Sequence, residues 1–476
     1  MRDLNVIPSS VFLRSAVSPR VARVVLLFGI ACGLPTISSA QGQHGQSPSP
    51  VGGRGFGSSS SGMGLGGRQP GGPPVPGSAV EPGIPRGPVQ ELKIDPVKLP
   101  EGFAPPAEKD PIMEIDRPLV TSDELGKLKK DLANYQKYLR KAQSSDAEKA
   151  VIRNGIKYRL ALMCQRENLL DVSKLREDLL REIDSAASAM DFPKADTARE
   201  FRRFVMQEVV NQAAPLLETQ NFHVRLQIAI LFGELDLTEE TPKLGLKQEA
   251  YFQASVPLVK VIEDPKQPAG VKVAAVNSLY RILRLGNPDV LTRTKIAVAI
   301  VEALKDKKAH PWYQMRLVGA LAAVDIELDQ QRKPFVVNAL LDVLNDPDPE
   351  RKWYVKAQAA KSLGRVPLPA EANPPSVTRA VAAFALKLAK AAQQDPQLDA
   401  KDPKWKNEFI KLYLAFMPFD NQDLMADKKT KAGLLNNPAA AAKAAYVVIV
   451  PLVAAIWNGQ RLTAQQIQAL EAWLKP

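Results

Sequence analysis

A chain of 476 residues with 45% apolar and 24% charged side chains has ample material for a large core, and reads as a soluble protein rather than a membrane-embedded one. Lysine and arginine outnumber aspartate and glutamate by 63 to 51, a formal net charge of +12. Anionic partners are permitted but not required, because the cations are scattered: residues 121–184 hold 14 basic and 11 acidic side chains, which reads as mixed, solvated helix faces rather than a nucleic-acid or polyanion stripe.

Residues 1–40 read as a cleavable secretion signal. Arg14, Arg20 and Arg23 precede an apolar run from Val24 to Leu34, and Ser38-Ser39-Ala40 places small residues before Gln41. The run falls short of the ~20 apolar residues that a membrane-spanning helix needs, so cleavage after Ala40 is expected in preference to a retained anchor. A lipid attached at Cys32 is disfavoured, since Gly29 stands where leucine would be wanted. Cleavage removes four arginines and Asp3 and leaves a net charge of +9. The expected destination is the periplasm or cell envelope, or secretion. Cys164 would then be the one remaining cysteine, unable to form an internal disulfide, and its apolar-periodic setting from Tyr158 to Met163 predicts a buried, inert thiol.

Residues 42–87 hold 15 of the 28 glycines, and residues 41–118 hold 15 of the 39 prolines. Such a composition cannot bury enough apolar surface to offset its conformational entropy, and predicts a disordered tether. Its GxGxxG match, Gly62 to Gly67, follows no strand and opens no helix, so it is discounted as a nucleotide motif.

Beyond Thr121 the periodicity is helical and strand-like alternation is hard to find. Thr121 with Asp123 and Glu124 forms a helix start, followed by Leu125, Leu128, Leu132, Tyr135 and Leu139 on one stripe. Further helices are expected over 146–166, 173–188 and 195–213.

Four segments then resemble one another, opening at Val224-Arg225, Val271-Lys272, Met315-Arg316 and Val355-Lys356, with spacings of 47, 44 and 40 residues. Counted from each opening residue, offsets 4, 8 and 11 are Ile228, Phe232 and Leu235; Ala275, Leu279 and Ile282; Gly319, Ala323 and Ile326; and Ala359, Leu363 and Val366. Those offsets share one helix face. Partner helices lie between the segments and end at Asp264-Pro265, Asp306 and Asp346-Pro347, where the residue before proline is driven out of helical geometry.

On these residues, over roughly 201–366, the chain resembles the HEAT-repeat family. The family's unit is a first helix often carrying proline (here Pro215 and Pro257), an Asp turn, and a second helix opening with Val-Arg. The resemblance implies an all-α fold, an α-solenoid of antiparallel helix pairs (HEAT/armadillo-like), because such pairs bury their apolar faces only by stacking. Two departures stand out: repeat three has Ala323-Val324 in place of Leu-Gly, and repeat one lacks the turn aspartate. Residues 119–200 are assigned to N-terminal capping helices. Residues 367–476 are assigned to degenerate repeats and a C-terminal cap, with helices expected over 376–393, 404–417, 440–457 and 462–474. The apolar stretch Ala444 to Trp457, 14 residues interrupted by Pro451, predicts a buried core helix rather than a membrane span.

No catalytic, cofactor-binding or metal-binding residue is assigned. His44, His223 and His310 are the only histidines and lie far apart in sequence, and the chain has no Cys cluster, Gly-x-Ser-x-Gly elbow or Walker loop. Arg225, Lys272, Arg316 and Lys356 suggest a ladder of binding cations, against the plainer expectation that each pairs with a turn carboxylate. Trp312, Tyr313, Trp353 and Tyr354 suggest partner anchors, against plain packing across the helix-pair turn. The expected function is a non-catalytic interaction scaffold of the cell envelope, binding a protein or an anionic polymer. The alternatives are a self-associating structural component of the envelope, or a non-catalytic subunit of an exported enzyme complex.

Overall fold

The computed structural model describes residues 110–142, 145–188, 195–238, 248–349, 351–395, 403–418, 432–437 and 440–475. The expected signal over 1–40 and the tether as far as residue 109 lie outside the described residues, as do Cys32, His44 and the Gly62 motif.

The fold is all-α. The N-terminal helices are α1 (Ser122–Lys130), α2 (Leu132–Lys141), α3 (Asp146–Met163), α4 (Val172–Asp184), α5 (Ala195–Ala213) and the short α6 (Leu216–Thr219). The middle of the chain contributes α7 (Phe222–Glu234), α8 (Ser255–Glu263), α9 (Ala269–Leu285), α10 (Val290–Leu304), α11 (Pro311–Leu321), α12 (Phe335–Asn345) and α13 (Trp353–Leu363). The last helices are α14 (Pro374–Gln394), α15 (Pro403–Phe416), α16 (Ala440–Trp457) and α17 (Ala464–Leu474).

Local sequence explains where these helices start. Thr121 Oγ1 accepts from Glu124 N, and Ser145 with Glu148 forms a reciprocal capping box that satisfies two backbone donors at the head of α3. Asn221, Asp289 and Thr463 cap α7, α10 and α17 in the same way. The single stripe expected from Leu125 to Leu139 is broken at Asp131 into α1 and α2, and one short antiparallel ladder, Asp236–Thr238 with Glu249–Ala250, interrupts the helices. Neither was anticipated, because a three-residue strand has no periodicity to detect.

Two rows of helices organise the middle of the molecule. In one row α7 packs against α9, α9 against α11, α11 against α13, and α13 against α15; in the other α8 meets α10, α10 meets α12, and α12 meets α14. The pairs α8–α9, α10–α11 and α12–α13 join the rows. A single apolar cluster runs from Tyr135 to Leu470 through both rows, so each helix is stabilised chiefly by its neighbours. Small residues set the spacing at two crossings. A Cβ on Gly233 would lie 2.6 Å from Ser278 Cβ, and one on Gly364 would lie 2.7 Å from the Ala415 carbonyl carbon.

The first described residues are docked: Phe222 N donates to Ile112 O at 3.4 Å, and Gln220 Nε2 to Arg117 O at 2.9 Å. Residues 112–117, expected in the tether, therefore lie bonded to the residues around the head of α7. At the other end α16 is, by length and composition, apolar enough to cross a membrane. It buries Ala445, Ile449, Leu452, Ala455 and Ile456 and packs against α14, α15 and α17.

Candidate functional site

The cations that head the repeated helices provide the starting point. Arg225 is buried at 8% exposure, with Nε donating to Gln220 O at 2.6 Å, Nη2 to Glu218 O at 2.6 Å and Nη1 to Gln267 Oε1 at 3.3 Å. Lys356 Nζ donates to Asp346 O at 2.7 Å and to Asp348 O at 3.4 Å. Both cations thus satisfy main-chain carbonyls that a helix end leaves without intrahelical partners. Carboxylate pairing was the plainer expectation, and for these two it is corrected. The turn carboxylates are engaged locally: Asp264, Asp306 and Asp346 each accept from the backbone N–H two residues on, at 2.8, 3.0 and 3.0 Å. Lys272 fits the expectation better, since it lies half-buried in the field of Asp264 and Asp306, while burial draws its ammonium below the ordinary lysine value.

Repeat three corrects the expected register. Buried positions on α7, α9 and α13 follow the pattern 0, 4, 5, 7, 8 and 11 from Val224, Val271 and Val355; on α11 the same pattern starts at Tyr313, with Leu317, Val318, Ala320, Leu321 and Val324 all buried. The openings are therefore spaced by 47, 42 and 42 residues. The side chain that heads the third helix is Gln314, not Arg316. Gln314 is 1% exposed and donates through Nε2 to Lys307 O at 2.9 Å and Ala309 O at 2.7 Å, the same service that Arg225 and Lys356 perform. The ladder of four binding cations does not form.

Arg316 consequently falls, half-buried, at the place that Gln358 occupies on α13. Its guanidinium lies 5.2 Å over the Trp312 ring, its Nε is buried without a hydrogen bond, and burial pulls its pKa down from the ordinary arginine value. Next to it, Lys411 of α15 crosses the row. Its Nζ is 3.4 Å from Tyr354 O on α13, 3.8 Å from Met315 Sδ on α11 and 3.4 Å from Glu408 Oε2 on its own helix. Burial is the chief cause that lowers the Lys411 ammonium; Glu408 opposes it, while Lys361 and Arg316 add to it by repulsion. Arg316 on α11 and Lys361 on α13 thus both act on Lys411, whose ammonium Glu408 offsets. Lys361, Glu408 and Lys411 carried no signal in the sequence, because α15 lacks the Val-Arg opening and its place in the row is decided by packing.

The aromatic residues separate into different roles. Tyr313 is a buried opening residue; Trp353 is half-buried, with its ring 6.1 Å from that of Phe384 on α14; Tyr354 is half-buried beside Lys411. Trp312 supports Arg316. The described histidines stay apart: His223 packs edge-on against Phe222, and His310 Nδ1 accepts from Trp312 N at 3.2 Å to cap α11. Among the described residues no group of three or more His, Cys, Asp or Glu could hold a metal ion. Cys164 is buried, and burial pushes its thiol up to about 12.

No protein-family model, curated protein or solved structure matches this chain.

Proposed function

We propose that this protein is a non-catalytic scaffold that binds a partner protein along the open face of the α7–α9–α11–α13–α15 row. In this reading the two rows are an α-solenoid of HEAT-like repeats, exported to the periplasm or cell envelope behind a cleaved signal and a flexible tether. One observation carries it: the row's buried positions repeat from helix to helix, whereas the outward positions do not. Offset three from each opening is Gln227, the buried Ala274, Arg316 or Gln358, and offset six is Ile230, Asn277, Gly319 or Lys361. A repeat that served stacking alone would leave its outer residues free to be uniformly polar; a varied, half-buried outer face with a cation cluster suits recognition of one protein.

Site-specific photo-cross-linking tests this. Probes at Asn277 and Gln358 on the row face should capture the same protein from an envelope fraction, and probes at Lys260 and Glu263 on the other row should not. Failure of the row-face probes to capture any protein at low or high salt would overturn the scaffold reading.

A second reading, a self-associating structural component, is favoured by α16. Its outer side presents Ala444, Val447, Pro451 and Ala454 as exposed residues, with Val447 at 68% exposure. Light scattering decides this reading: it requires a concentration-dependent oligomer that Val447→Glu dissociates.

A further inference from the structure

We propose that Arg316, Lys361 and Lys411 form a carboxylate-binding site that takes an acidic segment of the partner protein, flanked by Trp312 and Met315. The proposal rests on the scaffold reading above and assigns the chemistry of its partner.

Geometry carries the assignment. Arg316, Lys361 and Lys411 stand on three successive helices of one row; Arg316 and Lys361 both act on the Lys411 ammonium, which Glu408 offsets at 3.4 Å. Lys411 bridges the whole group, reaching Tyr354 O on α13 and Met315 Sδ on α11. The Arg316 guanidinium lies 5.2 Å over the Trp312 ring and keeps a buried Nε without a hydrogen bond, so part of its donor capacity is not met within the chain. Cations gathered in partly desolvated surroundings repel one another more strongly than in water, and a second carboxylate entering the group would relieve that repulsion while accepting hydrogen bonds.

The surroundings select a peptide over a polymer. A polyanion carries charge at every repeat unit and needs cations along its whole track. At the same offsets on α7 and α9 stand Gln227, Ile230, the buried Ala274 and Asn277, none of them charged, and Arg281, one turn beyond Asn277, is already paired with Asp236. What borders the cluster instead is half-buried Trp312 and Met315, surface that suits the aliphatic carbons around one or two acidic side chains. The site therefore fits a short segment in which glutamate or aspartate alternates with apolar residues.

The test uses the full chain and a fluorescein-labelled Leu-Glu-Leu-Glu-Leu peptide, with its Leu-Gln-Leu-Gln-Leu counterpart and polyphosphate as comparisons, read by fluorescence anisotropy. The glutamate peptide should bind saturably and at least tenfold more tightly than the glutamine peptide. Arg316→Gln and Lys361→Gln should each weaken it severalfold, and together at least tenfold. Lys260→Gln with Lys387→Gln, both exposed on the other row, should leave it unchanged. Because Lys411→Gln could disturb packing, the two outer variants decide the matter and thermal melting confirms their fold. Equal binding of the two peptides, or undiminished binding by the double variant, overturns the site. Polyphosphate binding more tightly than the glutamate peptide overturns the choice of a peptide. If the double variant loses the peptide while the row-face cross-links capture nothing, the site stands and the scaffold reading falls; if it still cross-links the partner as the wild type does, the reverse holds.

Discussion

Gln314 donates from one amide nitrogen to the carbonyls of both Lys307 and Ala309, and so takes over in the third repeat the task that Arg225 performs in the first with Gln220 and Glu218. A neutral side chain suffices because the acceptors are main-chain carbonyls rather than carboxylates. Replacing Gln314 with leucine should strand two acceptors inside the turn and destabilise the protein by about 1–3 kcal/mol. Arg316→Gln should change stability by about 1 kcal/mol or less, the scale of a cation–π contact. Urea unfolding of the two variants checks the contrast; equal losses would mean that the register assigned to α11 is wrong.

Arg225→Lys should not be neutral. A guanidinium reaches Gln220 O, Glu218 O and Gln267 together, and an ammonium cannot match that fork at 8% exposure. The expected loss is about 1–3 kcal/mol, measured as a lower denaturation midpoint with an unchanged slope.

The crossings at Gly233 and Gly364 should respond differently to alanine. At Gly233 the obstructing neighbour is Ser278, whose Oγ donates to Ala229 O at 2.8 Å; at Gly364 it is the Ala415 backbone. Gly233→Ala is expected to cost about 1–3 kcal/mol as overpacking, and Gly364→Ala more, since a backbone cannot rotate away. Adding Ser278→Ala should recover part of the first loss and none of the second.

Asp346 ties two turns together, with Oδ2 3.0 Å from Arg351 Nε and 3.0 Å from Lys307 Nζ. Burial alone would raise its carboxyl; the hydrogen bonds from Asp348 N and Lys307 and the charge of Arg351 outweigh burial and hold it below the ordinary value of 3.8. A carboxyl lowered on folding stabilises fully above its unfolded pKa and loses that contribution as pH falls through the folded value. Asp346 should therefore contribute to acid unfolding below about pH 4 and leave stability flat from pH 5 to 8. Asp346→Ala, which leaves the 4%-exposed Arg351 side chain unpaired, should cost about 3–5 kcal/mol at pH 7 and flatten the acid limb of a stability–pH curve.

The Cys164 thiol, pushed up by burial to about 12, should resist a thiol-reactive disulfide reagent at pH 8 in the native protein and react at once in denaturant. Rapid native reaction would contradict its buried position.

Most of the helices were legible in the sequence because an amphipathic helix reports its own period: residues 195–213 and 440–457 were expected as helices and are α5 and α16. The caps were legible for the same local reason, since Thr121 and Glu124 are three residues apart. Register within repeat three was not. Met315-Arg316 matches the Val-Arg opening better by residue type than Tyr313-Gln314 does, and only the burial of Leu317, Leu321 and Val324 against neighbouring helices reveals which face is turned inward. A local pattern determines that a segment coils. Which of its faces is buried depends on helices some 40 residues away in either direction, and that choice sets Arg316 within the field of Lys411.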